Sequence, residues 1–204
     1  MAILQSVRRE EERAQAIQTQ KALLLADKTL PFFRQGLSSR SCKEASLIIR
    51  QYTGADAVSI TDRERVLAHV GIGSGHHKAD GELATELTRE VLREGRIRTA
   101  GSPEDIHCYY AGCPIKAALV LPLKVKGEPV GTLKLYFRHP TGLNTVQKEL
   151  AEGLANLFST QLELGAAEHQ TSLLRDAEIK ALQSQIHPHF FFQRHQYDYF
   201  RLPH

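Results

Sequence analysis

The chain has no run of the roughly 18 apolar residues that a membrane-crossing helix needs, and no positively charged, then apolar, start of the signal-peptide kind. A cytoplasmic protein is expected. It is also poor in cysteine: Cys42, Cys108 and Cys113 form an odd set without framework spacing, which argues against a disulfide-stapled secreted scaffold and suits a reducing compartment. Neither sign of charge is in large excess, since 26 Lys and Arg face 23 Asp and Glu. The two signs are interspersed, without the clustering that a nucleic-acid footprint requires, so no nucleic-acid partner is expected. No Ser-His-Asp or paired-carboxylate pattern is present. Gly71, Gly73 and Gly75 alternate, but no Gly-Lys-Ser/Thr follows them and no third-position glycine opens a Rossmann helix, so they are not a phosphate cradle.

What remains is a chain of 204 residues, 42% apolar, with room for one ordinary domain plus helical extensions or for two small domains. Residues 1 to about 30 read as a helix. Ile3, Val7, Ala14, Ile17 and Leu24 fall on heptad seam positions, with Glu10 and Lys21 at the others, as in a short coiled coil or a helix packed on its own domain. Pro31 is expected to interrupt it, and the next helix to start near Ser41. From Ala55 the period changes to that of strands. Residues 57–61 and 66–70 form a first hairpin about Asp62-Arg-Glu-Arg65, followed by a glycine-rich loop over 71–81 and a helix from about Glu82 to Glu94. A short edge strand at 96–99 and an irregular stretch over 100–117 come next. Residues 118–125 and 130–137 make a second hairpin about Lys126-Gly-Glu-Pro129. Two hairpins flanking a helix and long loops imply an α+β fold around an antiparallel sheet. Val146, Leu150, Leu154, Leu157 and Leu164 then continue as the stripe of a long helix running towards His187.

Two sets of side chains could carry chemistry. Ile179, Leu182, Ile186 and His189 recur at three, four and three residues, which puts His189 on the extension of an apolar helical seam beside a dimer interface. A neutral imidazole there can carry a phosphoryl group on one ring nitrogen. Separately, His107, Cys108 and Cys113, with His76 and His77 of the glycine-rich loop, could supply ligands for zinc or an iron–sulfur cluster, or the two cysteines could be unligated, redox-sensitive thiols.

The string Ala177-Glu-Ile-Lys-Ala-Leu-Gln-Ser-Gln-Ile-His-Pro-His-Phe-Phe-Phe-Gln193 resembles the phosphoacceptor segment of LytS-type sensor histidine kinases, with His189 on the phosphorylated position. His187 and Gln193 stand where that family has Asn. Ala55-Asp-Ala-Val-Ser-Ile-Thr-Asp62, Leu67-Ala-His-Val-Gly71, Cys113-Pro114 and the run from Leu121 to Tyr136 resemble the GAF segment of the same kinases. The resemblance implies a GAF-like antiparallel sheet flanked by helices, with long N- and C-terminal coiled-coil signalling helices. It divides the chain into an N-terminal helix or linker (1–30), a GAF-like sensory domain (31–140), a signalling helix (141–185) and a truncated phosphoacceptor segment (186–204). It further implies a homodimer, a response regulator of the LytR type, a small-molecule ligand between the sheet and its covering loops, and ATP bound only in the full-length family. Neither an ATP-binding domain nor a membrane-spanning sensor is expected within these residues, so the chain alone is not expected to phosphorylate itself. The alternative is a stand-alone GAF module that binds a small molecule, metal or redox signal.

Overall fold

The computed structural model of the protein describes residues 2–83 and 85–185. Its centre is a five-stranded antiparallel sheet of order β2-β1-β5-β4-β3. The strands are β1 (Ala57–Thr61), β2 (Val66–Gly71), β3 (Arg98–Ala100), β4 (Ala117–Val125) and β5 (Glu128–Phe137). Both expected hairpins are present, and the α+β class is as expected. The second closes through Lys126 and Gly127, both at positive φ (53° and 83°), a two-residue connection whose twist matches that of the strands it joins.

Strand alternation sorts the side chains onto two faces. Val58, Ile60, Leu119, Leu121, Leu123, Leu133, Leu135 and Phe137 bury against α1 (Ala2–Arg34), α2 (Ser39–Thr53) and the first half of α5 (Thr145–Gln185). Ala57, Ala118, Val120 and Tyr136 bury against α3 (Glu86–Glu94) and the single turn α4 (Pro103–Ile106). The first core therefore draws on residues outside 31–140: Leu25 of α1, and Ala151, Leu154, Ala155, Phe158 and Leu162 of α5.

Helix α1 does not stop at Pro31 but runs three residues beyond it. An interior proline costs about 3 kcal/mol, yet Phe33 lies just past it, 2% exposed and stacked on Phe158 with centroids 3.9 Å apart and planes at 10°. Burying an aromatic side chain of that size gives back about as much. The two helices approach closely farther along, where a Cβ on Gly165 would lie 2.1 Å from the Arg34 carbonyl oxygen. Helix α2 begins earlier than expected because Ser38 and Ser41 form a reciprocal capping box, and it ends on Gly54 in the left-handed region. Helix α3 begins later, at Glu86, since Glu82 is still extended and bridges Arg65 of the first hairpin. The stretch expected to be irregular contains both the end of β3 and α4, the latter capped by the Ser102 hydroxyl on the Asp105 N–H with Pro103 in its first turn.

The helical stripes sit in a different phase from the sequence reading. Of Val146, Leu150, Leu154, Leu157 and Leu164, only Leu154 is fully buried, while Val146, Leu157 and Leu164 are exposed. The buried stripe of α5 is Ala151, Leu154, Ala155, Phe158 and Leu162. On α1, Leu25, Thr29 and Phe33 turn inward, and Ile17 and Leu24 stay exposed.

The residues up to Ala166 form one compact unit, and those from Ala167 a second, whose described part is helical with Leu173, Leu174, Ile179 and Leu182 exposed. Among the described residues no helix is long and apolar enough to cross a membrane. Truncating Phe158 to Ala leaves a void beneath Phe33 and is expected to cost about 3–5 kcal/mol, measured as a fall in the urea midpoint at unchanged m-value.

Candidate functional site

On the sheet face away from α1 and α5, two loops converge. The first follows β2. Gly71 at φ 118° lets the chain leave the strand where a Cβ would lie 2.2 Å from the Asp56 carbonyl oxygen. Gly73, at φ 80°, then accepts hydrogen bonds at its carbonyl from the N–H groups of His76 (3.1 Å) and His77 (2.9 Å). This tight turn brings two consecutive imidazoles over the sheet. The second loop follows α4 and carries Cys108 and Cys113, with a turn closed by the Cys113 N–H on the Tyr110 carbonyl (3.1 Å).

The ligand atoms of His76, His77, Cys108 and Cys113 all lie within 4.8 Å of one another. His77 Nε2 is 3.5 Å from Cys108 Sγ and 3.8 Å from Cys113 Sγ. His76 stacks on Tyr110 with centroids 4.1 Å apart and planes at 9°, and its Nε2 is buried without a hydrogen-bond partner. Thus four of the five residues singled out as metal ligands come together, and His107 does not. It is the left-handed C-cap of α4, where its backbone closes the turn and its Nδ1 sits 3.1 Å from the Asp105 carbonyl oxygen. Capping directs that side chain to solvent while the next residue, Cys108, turns inward.

Beneath the quartet is a cavity of about 240 Å³ lined by Ser59, His69, His77, Thr85, Lys134 and Tyr136 among others. His69 Nε2 is 2.8 Å from the Ile72 carbonyl oxygen, and its Nδ1 is buried without a partner. Lys134 is 3% exposed, and its Nζ donates to Thr88 Oγ1 at 3.0 Å. Burial, helped by the neighbouring His76, His69 and Lys134 charges, pulls His77 down to about 3, so its imidazole is neutral at physiological pH. Burial likewise lowers His69. The Cys113 thiol is raised by burial first, with Cys108 beside it also raising it, and Cys42, on the buried side of α2 and away from this face, is pushed up by burial to about 12. Cys42 is a core thiol, whereas Cys108 and Cys113 belong to the site. Two neutral imidazoles with two thiols can hold a soft or borderline metal ion, and two thiols this close can also be oxidised together.

Residues 39–162, from the start of α2 to the last buried leucine of α5, match the GAF domain family. The chain belongs to that family. It is 57% identical over 192 residues to the sensor protein LytS of Bacillus anthracis, covering 94% of this chain and 33% of that protein. The sensor histidine kinase/phosphatase LytS of Staphylococcus aureus is 46% identical over the same share of each. The chain thus spans about a third of the length of these relatives, and the likeness agrees with the LytS-type resemblance read from its motifs. Among solved structures, the GAF domain of a phosphoenolpyruvate-protein phosphotransferase from Coxiella burnetii aligns with TM-score 0.56 at 15% identity, over 74% of this chain and 98% of that one. The corresponding domain from Acinetobacter aligns with TM-score 0.55 at 14% identity, over 71% and 94%. At such identities these neighbours establish the GAF fold alone.

His189, with His187 and Gln193, lies outside the described residues. Two site residues escaped the sequence reading, Lys134 and His69. Lys134 had a legible signal: it falls between Leu133 and Leu135 in a strand whose every second side chain, Thr132, Lys134 and Tyr136, is buried on the opposite face. Burial lowers the Lys134 ammonium from the usual 10.5 to about 7. Between those values the unfolded chain holds a proton there that the folded chain lacks, so this group makes stability rise with pH across that window. A Lys134→Met variant is therefore expected to be more stable than the parent near neutral pH, with the difference shrinking as pH approaches 10.5. Paired urea titrations across that range check it, and a constant gap contradicts it.

Proposed function

We propose that this GAF chain is the signal-sensing portion of a two-component sensor histidine kinase of the LytS type. The observation that carries the proposal is the 57% identity to a LytS sensor protein across 94% of the chain, from a region of that protein about a third of its length. The architecture supports it. One sheet separates the cavity from α1 and α5, so a ligand touching Lys134 and Tyr136 acts on the strand whose other face packs Leu133 and Leu135 against the helices. A ligand biases such an element only by binding one of its arrangements more tightly than the other. The cavity presents Lys134, which has no carboxylate within ion-pair distance among the described residues, with Lys78 and Glu82 also on its wall, and so suits a small polar ligand that carries an anionic group.

In this reading two copies pair through the heptad positions left exposed, Ile17 and Leu24 on α1 and Leu157 and Leu164 on α5. The γ-phosphoryl of ATP bound elsewhere in the kinase passes to a ring nitrogen of His189, ADP leaves, and an aspartate of a LytR-type response regulator then accepts the phosphoryl group. A second reading, a GAF regulator that acts without phosphoryl transfer, draws on His187 and Gln193, which replace the two asparagines of the LytS-type motif.

Replacing the matching stretch of Bacillus subtilis LytS, 56% identical, with this chain's 192 residues tests both. The chimera is expected to acquire acid-labile phosphate from labelled ATP and to lose it in the His189→Gln variant. A folded chimera that never acquires phosphate, while the parent kinase does, overturns the kinase reading in favour of the regulator. The pairing predicts that the chain sediments as a dimer and that joint Leu157→Glu and Leu164→Glu substitution makes it monomeric with its circular dichroism unchanged.

A further inference from the structure

The geometry points to a mononuclear zinc site formed by His76, His77, Cys108 and Cys113, which staples the β2–α3 loop to the loop after α4 over the mouth of the cavity. The site does not depend on whether the chain serves a kinase.

Distances are its first support. Tetrahedral zinc holds sulfur at about 2.3 Å and nitrogen at about 2.0–2.1 Å, which sets neighbouring nitrogen and sulfur ligands about 3.6 Å apart. His77 Nε2 stands 3.5 and 3.8 Å from the two sulfurs. The full quartet lies within 4.8 Å, so only small side-chain rotations separate it from a closed shell. The second support is the orphaned His76 Nε2, a buried nitrogen with no partner on a ring held by stacking against Tyr110. A buried polar atom left unpaired is destabilising, and a metal bond would satisfy it.

The same compactness chooses the metal chemistry. A two-iron cluster with two Cys and two His puts the sulfur pair on one iron and the imidazole pair on the other, which separates them. Here His77 is in contact with both sulfurs. Thiolate and imidazole together in a four-ligand shell suit zinc, and four protein ligands leave no open position for catalysis, so the ion is structural or regulatory. On binding, each thiol gives its proton to solvent and its sulfur lone pair to the ion, with no change of oxidation state. Since His76 and His77 also line the cavity, the ion fixes two of its wall residues.

The test uses the full 204-residue chain, reduced and stripped of metal, titrated with Zn²⁺ against a chromophoric chelator and with Co²⁺ followed by absorption. One equivalent of zinc and the thiolate-to-cobalt charge-transfer band with tetrahedral d–d bands are expected. The Cys108→Ser/Cys113→Ser pair should lose the charge-transfer band and bind zinc at least about 100-fold more weakly. Cys42→Ser should keep one equivalent, and His76→Ala, at the partly open edge of the site, should weaken binding without unfolding the chain. Absence of a stoichiometric complex in the folded parent overturns the proposal. So does zinc retained at full affinity by the double cysteine variant, or sulfide-containing visible absorption in protein purified without oxygen.

Discussion

Strand β5 is buried on both faces, and that constraint organises the molecule. Leu133, Leu135 and Phe137 pack under the helices while Thr132, Lys134 and Tyr136 face the opposite layer. A strand so placed cannot slip by one residue without exchanging three large apolar groups for a threonine, a lysine and a tyrosine. Its register with β1 and β4 is thereby fixed, and with it the separation between a helical face and a site face. The Thr61 and Thr132 hydroxyls, 2.8 Å apart, satisfy each other in the same layer. Lys134 is the costly member: an ammonium held by one hydroxyl, out of water, among imidazoles. Proteins rarely keep such a group in a sheet for stability, and its placement on a cavity wall accords with a role in recognition.

The parts of the fold written in local pattern were legible. Two apolar runs separated by a short turn gave β4 and β5, and the alternating stretch after Ala55 gave β1 and β2. Boundaries set by tertiary packing were not. Pro31 looked like a stop because the stacked pair Phe33 and Phe158 is invisible until α5 is in place. The α5 stripe was read one face off, because Ala151 and Ala155 are small and carry little hydrophobic signal, although they are the residues that let the helix sit down on the sheet.

The site shows the same division. The sequence offers His76, His77, Cys108 and Cys113 as ligand types in two loops, but only the sheet brings loops 31 residues apart, counted from His77 to Cys108, to within 3.5 Å. Neighbours in sequence could not be ranked either: His107 and Cys108 differ by one position, and the left-handed cap at His107 decides which of them faces inward. His69 lay in a strand without any local mark. The GAF family match and the LytS likeness supply the context, while the quartet and the buried lysine are properties read from this chain's own residues.

If the site face and the helical face are coupled through β5, occupancy of one must be felt on the other. Hydrogen–deuterium exchange on the chain with and without one equivalent of zinc reads this directly. Slower exchange is expected in the loops around His76–His77 and Cys108–Cys113 and, with them, an altered rate in β5 and in the buried stretch of α5 from Ala151 to Leu162. Slowing confined to the two loops, with β5 and α5 unchanged, would contradict that coupling.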